Sequence, residues 1–460
     1  MKRFIVTVYL LATVLITSFS QNSNWMIAGK IINKLDSIEF PTKEYNINDM
    51  GAIGDGITPC KEIFEKSITL CSNNGGGIIK VPSGVYYIDG PLVLKSNVNI
   101  HFEKNAVLNF STDEKDYLPA VQTRREGIEV YNYSPLIYAY HVNNIAITGE
   151  GTINGNGSKN FSKWKKQQKA DQQMLRKMGQ TNVPVYRRVF GDKSRLRPGF
   201  IELFGCSNVK IESITIKDSP FWVIHPVFCN NVIIRGVTVE SYNTNNDGCD
   251  PESCRNVLIE NCIFSTGDDA IAIKSGRDND AWRVEQPTEN VVIRNNTFKS
   301  KINGVCIGSE IAGGVRNVFI ENIKIPKSSN AIYFKSNLNR GGYISNIYIR
   351  NIHADTIRTA LIRFESNYKG ERSSFNPTLF DNFVIKNVSC RISEECGIYL
   401  SGFKEKPLMN IKLKDITIDE TSVPYCMNNA QNVIFKNVIV NRLKLDARPE
   451  MKKIIKICIF

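Results

Sequence analysis

The sequence predicts an all-β fold, a single parallel β-helix in which short strands stack as successive coils of one solenoid. Three observations predict it. A unit of similar sequence recurs through most of the 460 residues, its strands alternate β-branched and polar residues, and each unit carries an asparagine at the same point. These asparagines are separated by 22 to 36 residues, and they are Asn208, Asn231, Asn256, Asn290, Asn317, Asn346, Asn382, Asn410 and Asn432.

Individual units show why other repeat architectures fit less well. The unit "NNVIIRGVTV" begins at Asn230, and "RNVLIENCIF" begins at Arg255. A leucine-rich repeat would show a leucine signature with helices, and a propeller would need about four strands per unit. Asparagine at a fixed corner suits a β-helix, because it tolerates a left-handed backbone and can hydrogen-bond to an identical neighbour in the next coil.

The chain has twelve cysteines, which could form disulfides in an exported protein. Cys206, Cys229 and Cys254 each lie two residues before a repeated asparagine. Cysteines placed by a repeat are more simply interpreted as small apolar residues stacked in the core. The sequence leaves the pairing of any of the twelve open.

Two ends and one insertion interrupt the repeat. Residues 1–20 have the charged start, apolar run and small residues of a signal peptide, which predicts export to the periplasm or secretion. A membrane anchor is disfavoured because the apolar run is short and impure. We expect a linker over 21–43, the β-helix over 44–450 with a short capping helix near 59–72, a basic insertion over 162–197 at the groove edge, and a tail over 451–460.

The formal net charge of +13 favours a polyanionic partner. Nucleic acid, anionic lipid and acidic polysaccharide all fit the sign of the charge. The Lys and Arg residues are scattered rather than packed in a basic arm, and no nucleic-acid-binding motif is present. We therefore expect this exported basic protein to bind an acidic polysaccharide, and neither nucleic acid nor a membrane. We also expect it to be a monomer.

Aligning the repeats places four aspartates close together. Asp247 and Asp250 lie in "NNDGCDPESC", and Asp268 and Asp269 lie in "TGDDAIAIKSG". Adjacent coils are ~4.8 Å apart, so Asp247 and Asp269 should be near neighbours, with Asp250 beside them and Asp268 slightly offset. Alternation directs one column into the core: Ile224, Cys249, Ile271, Val305 and Ile332. The outward columns contain His225, Asp250, Ala272, Cys306 and Tyr333, then Val227, Glu252, Lys274, Gly308 and Lys335.

Grouped carboxylates favour acid–base chemistry. Like charges on one face raise at least one carboxyl pKa, and a protonated carboxyl beside ionised ones is what cleavage of a glycosidic bond requires. Asp and Asn that only cap turns are the plainer interpretation, and a Ca²⁺ site is another. Lys274 and Lys335 nearby argue against bound Ca²⁺.

At these residues the sequence resembles glycoside hydrolase family 28, the polygalacturonases and their relatives. Besides the two aspartate segments, "SPLIYAY", "GSEIAGGVRN" and "KSNLNRGGYISN" are similar to the bacterial branch of that family, much of it exo-acting. The resemblance runs from about Tyr45 to about Asn441. It implies a right-handed, pectin-lyase-like β-helix that hydrolyses galacturonosyl bonds of pectic polysaccharides by inverting single displacement, without a metal ion or cofactor.

The resemblance also implies roles for individual residues. Asp268 matches the general acid, Asp247 and Asp269 match the pair that holds and activates water, and Lys335 matches the lysine that binds the substrate carboxylate. The further substrate-binding candidates are Asp250, Lys274, His225, Tyr333, Asn303 and Arg363.

Two departures from the family pattern concern the substrate. The family has a histidine in a Gly-His-Gly-like turn where this chain has Ile302-Asn303-Gly304, and an arginine two residues before the lysine where this chain has Tyr333. Arg363, one coil further in the same column, is our candidate for the missing cation. His225 is either a substrate contact or a packing residue.

Several functions stay open at this stage. A galacturonan hydrolase, a rhamnogalacturonan-type hydrolase, a Ca²⁺-dependent lyase and a non-catalytic pectin-binding β-helix are all compatible with the groove. The basic insertion 162–197 is either a solvated loop or a lid that closes one end of the groove. We expect a lid, and therefore exo action.

Overall fold

The computed structural model describes residues 24–370 and 375–445 of the chain. Helices are few and short. The α-helices are α1 (24–36), α2 (Lys61–Asn73), α3 (Lys169–Gln180) and α4 (Asp278–Val284). The 3₁₀ helices are Asn48–Met50, Glu114–Tyr117, Phe161–Lys166, Val185–Arg187 and Tyr368–Gly370.

Strands make up most of the remaining chain. In order they are β1 (Glu44–Asn46), β2 (Asp55–Pro59), β3 (Gly77–Val81), β4 (Gly84–Ile88), β5 (Leu92–Val93), β6 (Val98–Phe102), β7 (Ala106–Phe110), β8 (Val121–Arg125), β9 (Ile128–Asn132), β10 (Ile137–Tyr140), β11 (Asn143–Gly149), β12 (Thr152–Asn154), β13 (Ile201–Phe204), β14 (Ser207–Glu212), β15 (Thr215–Lys217), β16 (Ile224–Val227), β17 (Asn230–Arg235), β18 (Thr238–Ser241), β19 (Arg255–Glu260), β20 (Ile263–Thr266), β21 (Ile271–Ile273), β22 (Thr288–Arg294), β23 (Thr297–Ser300), β24 (Asn303–Ile307), β25 (Val315–Lys335), β26 (Tyr343–Glu365), β27 (Leu379–Ser401), β28 (Leu408–Asn428), β29 (Ala430–Val440) and β30 (Leu443–Lys444).

These strands form a parallel β-helix, as the repeat predicts. Each strand pairs in parallel with its counterpart one coil away, as in β14–β17–β19–β22–β25, while the β8–β9 hairpin and the β29–β30 pair are antiparallel. One residue of each strand points inward at the same level, so Val209, Val232, Val257, Val291 and Val318 stack in register and are fully buried. The stacked columns form one continuous apolar core inside the coils, and its burial is the main source of stability of the solenoid.

The asparagine ladder confirms the interpretation of the repeated corner. Asn231, Asn256 and Asn290 have φ angles between 56° and 60°, the left-handed region that asparagine tolerates better than most residues. Each side-chain amide donates to the carbonyl of the asparagine one coil before it: Asn231 to Asn208 at 2.9 Å, Asn256 to Asn231 at 3.1 Å, and Asn290 to Asn256 at 3.2 Å. The ladder therefore satisfies polar groups at a corner where the backbone turns.

The cysteines behave as core residues in the described part of the chain. The eleven that the structure describes are thiols rather than disulfides, and all but Cys426 are buried. Cys206, Cys229 and Cys254 occupy neighbouring coils, and the Cys229 amide donates to the Cys254 sulfur at 3.4 Å. This confirms their interpretation as small apolar fillers, while Cys458 lies outside the described residues.

Of the two chain ends, only part of the expected linker over 21–43 lies among the described residues, and it contains a helix. The signal peptide over 1–20 and the tail over 451–460 lie outside the described residues. Within the expected linker, α1 packs Leu35 and Ile31 onto an outward apolar strip that includes Ile233, Leu258 and Phe319. Strand periodicity alone does not indicate this helix, because its partners are the unusual apolar residues on an outer face. No helix within 24–370 or 375–445 combines the length and the apolar character needed to cross a membrane.

The insertion over 162–197 forms a small separate cluster beside the groove. Its helix α3 contributes Leu175, and the segment that follows contributes Phe190 and Leu196. These residues pack against Ile128 and Val130 of β9. The β8–β9 hairpin and the insertion therefore stand together as a wall at one side of the stacked strands.

Candidate active site

The stacked strands bring the aspartates together, as the column alignment predicts. Ile224, Cys249 and Ile271 are bridged in parallel, and Ile271 continues to Val305. At the strand entrance, the Gly248 amide donates to the Asp269 carbonyl at 2.9 Å, and the Ala270 amide donates to the Asn303 carbonyl at 2.8 Å. Asp247, Asp269 and Asn303 therefore occupy equivalent places in three successive coils.

These aspartates open into a polar cavity of about 130 Å³. The lining residues are Glu126, Arg176, Trp222, Asn245, Asp247, Asp268, Asp269, Lys274, Arg277, Ser309, Glu310, Lys335, Tyr368 and Lys369. The wall contains both carboxylates and cations, which fits an anionic, hydroxyl-rich ligand.

Both carboxylate oxygens of Asp269 are held. Oδ1 accepts a hydrogen bond of 2.5 Å from the Asn303 amide, which is itself fixed by Asn330 at 2.8 Å. Oδ2 accepts a charge-assisted hydrogen bond of 3.1 Å from the Lys335 ammonium. Asp269 is therefore a firmly oriented acceptor at the centre of the cavity.

Asp268 is the neighbouring carboxyl, and its surroundings favour the protonated form. Its main-chain carbonyl accepts from Thr266 at 2.9 Å and from Ser300 at 2.5 Å, which fixes the turn. Burial and then the charge of Asp269 raise its pKa to about 6, although Lys335 and Lys274 oppose the rise. A carboxyl with this pKa retains its proton in weakly acidic solution and can donate it.

Asp247 and Asp250 share the ammonium of Lys274. Lys274 Nζ lies 3.6 Å from Asp247 Oδ2 and 3.4 Å from Asp250 Oδ1, and 4.5 Å from the centre of the Trp222 ring. Burial, together with the other aspartates, raises the pKa of Asp247 well above its ordinary value. Burial raises the pKa of Asp250 to about 7, which Lys274 partly counters. The raised pKa values of Asp247, Asp250 and Asp268 favour retention of protons on these carboxyl groups at mildly acidic pH.

Glu310 and Arg277 extend this network. Glu310 lies 3.6 Å from Lys274 and 2.9 Å from Arg277. Burial would raise the pKa of Glu310, but Lys274, Arg277 and Arg340 hold it well below its ordinary value. In the described parts of the chain, no three His, Cys, Asp or Glu side chains are grouped so that they could hold a metal ion.

Two sequence candidates lie beneath the cavity rather than in its lining. His225 is buried between two carboxylates, with Nε2 2.9 Å from Glu252 and Nδ1 3.5 Å from Glu202. Burial would lower its pKa, but Glu202 and Glu252 raise it to about 9, so the imidazole is a buried cation. Asp250 is likewise fully buried. This placement favours the packing interpretation of His225 and a supporting role for Asp250.

Tyr333 and Arg363 are adjacent, but a carboxylate engages both. The Tyr333 hydroxyl donates to Glu365, and Arg363 Nη2 lies 3.0 Å from the same Glu365 carboxylate. The Arg363 guanidinium stacks between Tyr333 and Tyr399, 5.0 Å and 5.2 Å from the two ring centres. Neither Tyr333 nor Arg363 is among the residues that line the cavity, so the substitution of Arg363 for the family arginine stays a prediction.

Several lining residues are absent from the candidates that the sequence suggested. Arg176 belongs to the insertion that the sequence predicts to be a lid, so its charge is a usable signal. Tyr368 and Lys369 lie on the turn after β26, where the Lys335 ammonium is 5.2 Å from the Tyr368 ring centre. Glu126 lies on the β8–β9 turn, outside the repeat, and no pattern in the sequence indicates it.

Comparison with known proteins now gives the family. Residues 71–438 match the model of glycosyl hydrolases family 28. The chain belongs to this family. It is therefore a glycosidase that hydrolyses glycosidic bonds, as the resemblance implied.

Individual relatives are similar along most of their length. A crystal structure of a hyperthermoactive exopolygalacturonase from Thermotoga maritima is 36% identical, covers 93% of this chain and 99% of its own, and has a TM-score of 0.83. A probable polygalacturonase from Vitis vinifera is 29% identical over 90% of this chain and 82% of its own. An exo-poly-alpha-D-galacturonosidase from Dickeya chrysanthemi is 26% identical over 88% of this chain and 72% of its own.

Proposed function

We propose that this glycosidase is an exo-acting polygalacturonase, which removes galacturonate from the end of a pectic chain. The observation that carries the proposal is the polar cavity in which Asp247, Asp268 and Asp269 converge, with Arg176 of the insertion in its wall. The names of the Thermotoga and Dickeya relatives, both exo-acting on galacturonan, support the same substrate.

The bond is cleaved in one displacement. Asp268 donates its proton to the glycosidic oxygen as the bond from C1 to that oxygen breaks. A water molecule held by Asp247 and Asp269 attacks C1 from the opposite face, and the proton it releases goes to that pair. The product therefore has the inverted anomeric configuration, β from an α-linkage.

Lys335 and the other lining cations bind the uronate. Lys335 already donates to Asp269 and lies beside Tyr368, so one ammonium can orient the water-holding carboxylate and attract the substrate carboxylate. Lys369 is exposed on the same wall, 5.0 Å from the Tyr368 ring centre. Cations of this kind place a negatively charged sugar beside carboxylates that would otherwise repel it.

The insertion supports exo action. The Lys165 ammonium donates to Asn245 at 2.9 Å, and Arg197 donates to the same side chain at 2.8 Å, so the insertion is fastened to the cavity wall. Arg176 of α3 itself lines the cavity. A groove closed in this way accepts a chain end and excludes a continuous polymer.

A rhamnogalacturonan-type hydrolase is the second candidate. The observation that favours it is the pairing of Arg363 with Glu365 beside Tyr333, because a carboxylate at this place is less suited to a second uronate. In either case we propose an exported monomer acting in the periplasm or outside the cell, consistent with the N-terminal sequence.

Product analysis tests the proposal. The enzyme is incubated with trigalacturonate, polygalacturonate and rhamnogalacturonan fragments, and products are separated while the anomeric configuration is followed by NMR. We expect only monomeric galacturonate, first seen as the β-anomer, with no ultraviolet-absorbing unsaturated product and no effect of EDTA. A ladder of oligomers would refute exo action, and unsaturated products that vanish with EDTA would indicate a lyase.

A further inference from the structure

Glu126 is a carboxylate inside the cavity that the reaction as described does not use. It stands at the tip of the β8–β9 hairpin with a φ angle of 46°, in the left-handed region that a glutamate rarely adopts. Its side chain is 13% exposed and lines the same cavity as the catalytic aspartates. Uncommon backbone conformations persist where the surroundings hold them, and they concentrate at functional sites.

The surroundings hold this hairpin tip firmly. The Gln172 amide donates to both Glu126 oxygens, at 2.6 Å and 2.8 Å, and Arg176 donates to Oε2 at 2.9 Å. On the other side, the Arg277 amide donates to the Gly127 carbonyl at 3.0 Å. A Cβ at Gly127 would approach the Arg277 nitrogen to 2.6 Å, so only glycine fits this close approach. The carboxylate is therefore fixed in place before any substrate enters.

The carboxylate keeps some capacity to accept. An ionised carboxylate offers about four acceptor positions, and the bonds from Gln172 and Arg176 occupy three of them. Burial would raise the pKa of Glu126, but Arg176, Arg125 and Arg277 lower it below its ordinary value. An ionised carboxylate with an open acceptor position, lining the same cavity as Asp247, Asp268 and Asp269, suits a hydroxyl group of the substrate.

We propose that Glu126 recognises the chain end by accepting a hydrogen bond from the free 4-hydroxyl of the terminal, non-reducing galacturonate. This assignment rests on the proposed exo-polygalacturonase function. The enclosed sugar is the one whose C1 is attacked, because this ring carries the developing charge and gains most from surrounding contacts. In that sugar, O4 is the oxygen that would continue the polymer.

An internal residue of the polymer would fit poorly against Glu126. Its O4 is glycosylated and has no proton to donate, so the fourth acceptor position of Glu126 would stay unfilled while the carboxylate faces another uronate. The internal residue therefore forgoes a hydrogen bond to a charged group, which contributes about 1.5–3 kcal/mol, and adds repulsion between like charges. Glu126 thus adds a chemical selection for the chain end to the steric closure by the insertion.

The test compares two tetragalacturonates on each protein. One has an ordinary saturated non-reducing end, and the other has the 4,5-unsaturated end left by lyases, which lacks the 4-hydroxyl. The variants are Glu126→Gln, which preserves shape, and Glu126→Ala. The control is Glu129→Gln, since Glu129 lies on the same hairpin, pairs with Arg283 and is not among the residues that line the cavity. The measured quantity is the ratio of kcat/KM for the two substrates, which does not depend on the fraction of folded protein.

We expect the wild type and the Glu129→Gln control to prefer the saturated end by about 10- to 100-fold, the value of one hydrogen bond to a charged group. For Glu126→Ala the ratio falls to within about threefold of one, with Glu126→Gln between. A wild-type ratio near one, or Glu126 variants that keep the wild-type ratio, would overturn the inference and leave the proposed function standing. The inference would also be overturned if the enzyme discriminated against a tetragalacturonate whose reducing end had been reduced with borohydride, and did not discriminate against the unsaturated non-reducing end. Failure of the wild type to release galacturonate from the saturated substrate would instead refute the proposed function itself.

Discussion

Lys274 should stabilise the protein more strongly at pH 8 than at pH 5. Its buried ammonium lies 3.6 Å or less from Asp247, Asp250 and Glu310. The perturbation is Lys274→Met, which keeps the apolar stem and removes the charge. Since these carboxylates raise the pKa of Lys274 well above its ordinary value, the wild-type ammonium is charged at both pH values. Any difference between the two conditions therefore comes from the carboxyl groups.

The expected magnitude follows from those carboxyl groups. Removing one partner of a buried ion pair destabilises by about 3–5 kcal/mol. Asp250, with its pKa of about 7, is protonated at pH 5 and mostly ionised at pH 8. Without Lys274 the pKa of Asp250 rises further above its value in the unfolded chain. The free energy of unfolding of the variant therefore decreases more steeply than that of the wild type as pH rises. A rise of one unit in the pKa of Asp250 adds about 1 kcal/mol to the loss at pH 8, and no larger rise can add more than about 1.4 kcal/mol, the whole free energy that a carboxyl of pKa about 7 gains by ionising at that pH.

Urea unfolding of both proteins at pH 5 and pH 8 measures the effect. We expect the loss at pH 8 to exceed the loss at pH 5 by about 1 kcal/mol. The control is Lys217→Met, because Lys217 forms an exposed pair with Glu240 at 3.0 Å. Exposed pairs contribute about 1 kcal/mol at most. Equal losses for Lys274→Met at the two pH values, or a larger loss at pH 5, would refute the reasoning.

Three further predictions concern Asp268, the asparagine ladder and helix α1. Because Asp268, with its pKa of about 6, must be protonated to act, kcat/KM should fall about tenfold per pH unit as pH rises above this value, and a profile flat to pH 8 would contradict the assignment. Asn290→Ala should destabilise the protein by about 1–2 kcal/mol in urea unfolding, because it removes a ladder hydrogen bond and places alanine at a φ of 60°. Asn290→Gly should destabilise the protein less, because glycine adopts this backbone conformation without strain. The reverse order of the two variants would contradict the ladder argument. Leu35→Ala should destabilise by about 2–5 kcal/mol, since Leu35 is fully buried between α1 and the β-helix, and a neutral substitution would show that α1 does not dock in solution.

The repetitive part of the molecule could be predicted from sequence because one rule is applied many times. Strand alternation has a period of two, and the repeated asparagine fixes where each coil begins. Those two facts align Ile271 with Val305 and place Asp247 beside Asp269 from the sequence alone. The catalytic grouping is thus a consequence of register, which the sequence encodes directly.

The parts that escaped prediction are those that occur once. The β8–β9 hairpin and α1 have no counterpart in other coils, so no alignment reveals what they pack against. The surroundings of Arg363 had a usable signal, because Glu365 follows two residues later and therefore projects from the same face of the strand. His225 had one as well, since Glu252 occupies an adjacent outward column one coil away. Charges in neighbouring columns neutralise each other, and this pairing decides which of them remain available to substrate.

The claim that Asp268 is the general acid is tested most directly by Asp268→Asn. This substitution keeps the shape of the side chain and replaces the carboxyl group by an amide, which cannot act as a general acid. Turnover of trigalacturonate and its affinity are measured separately, by product release and by calorimetry. We predict that kcat falls by about 10²–10⁴-fold while the dissociation constant changes by no more than about threefold. A variant that turns over at the wild-type rate would contradict the catalytic role of Asp268.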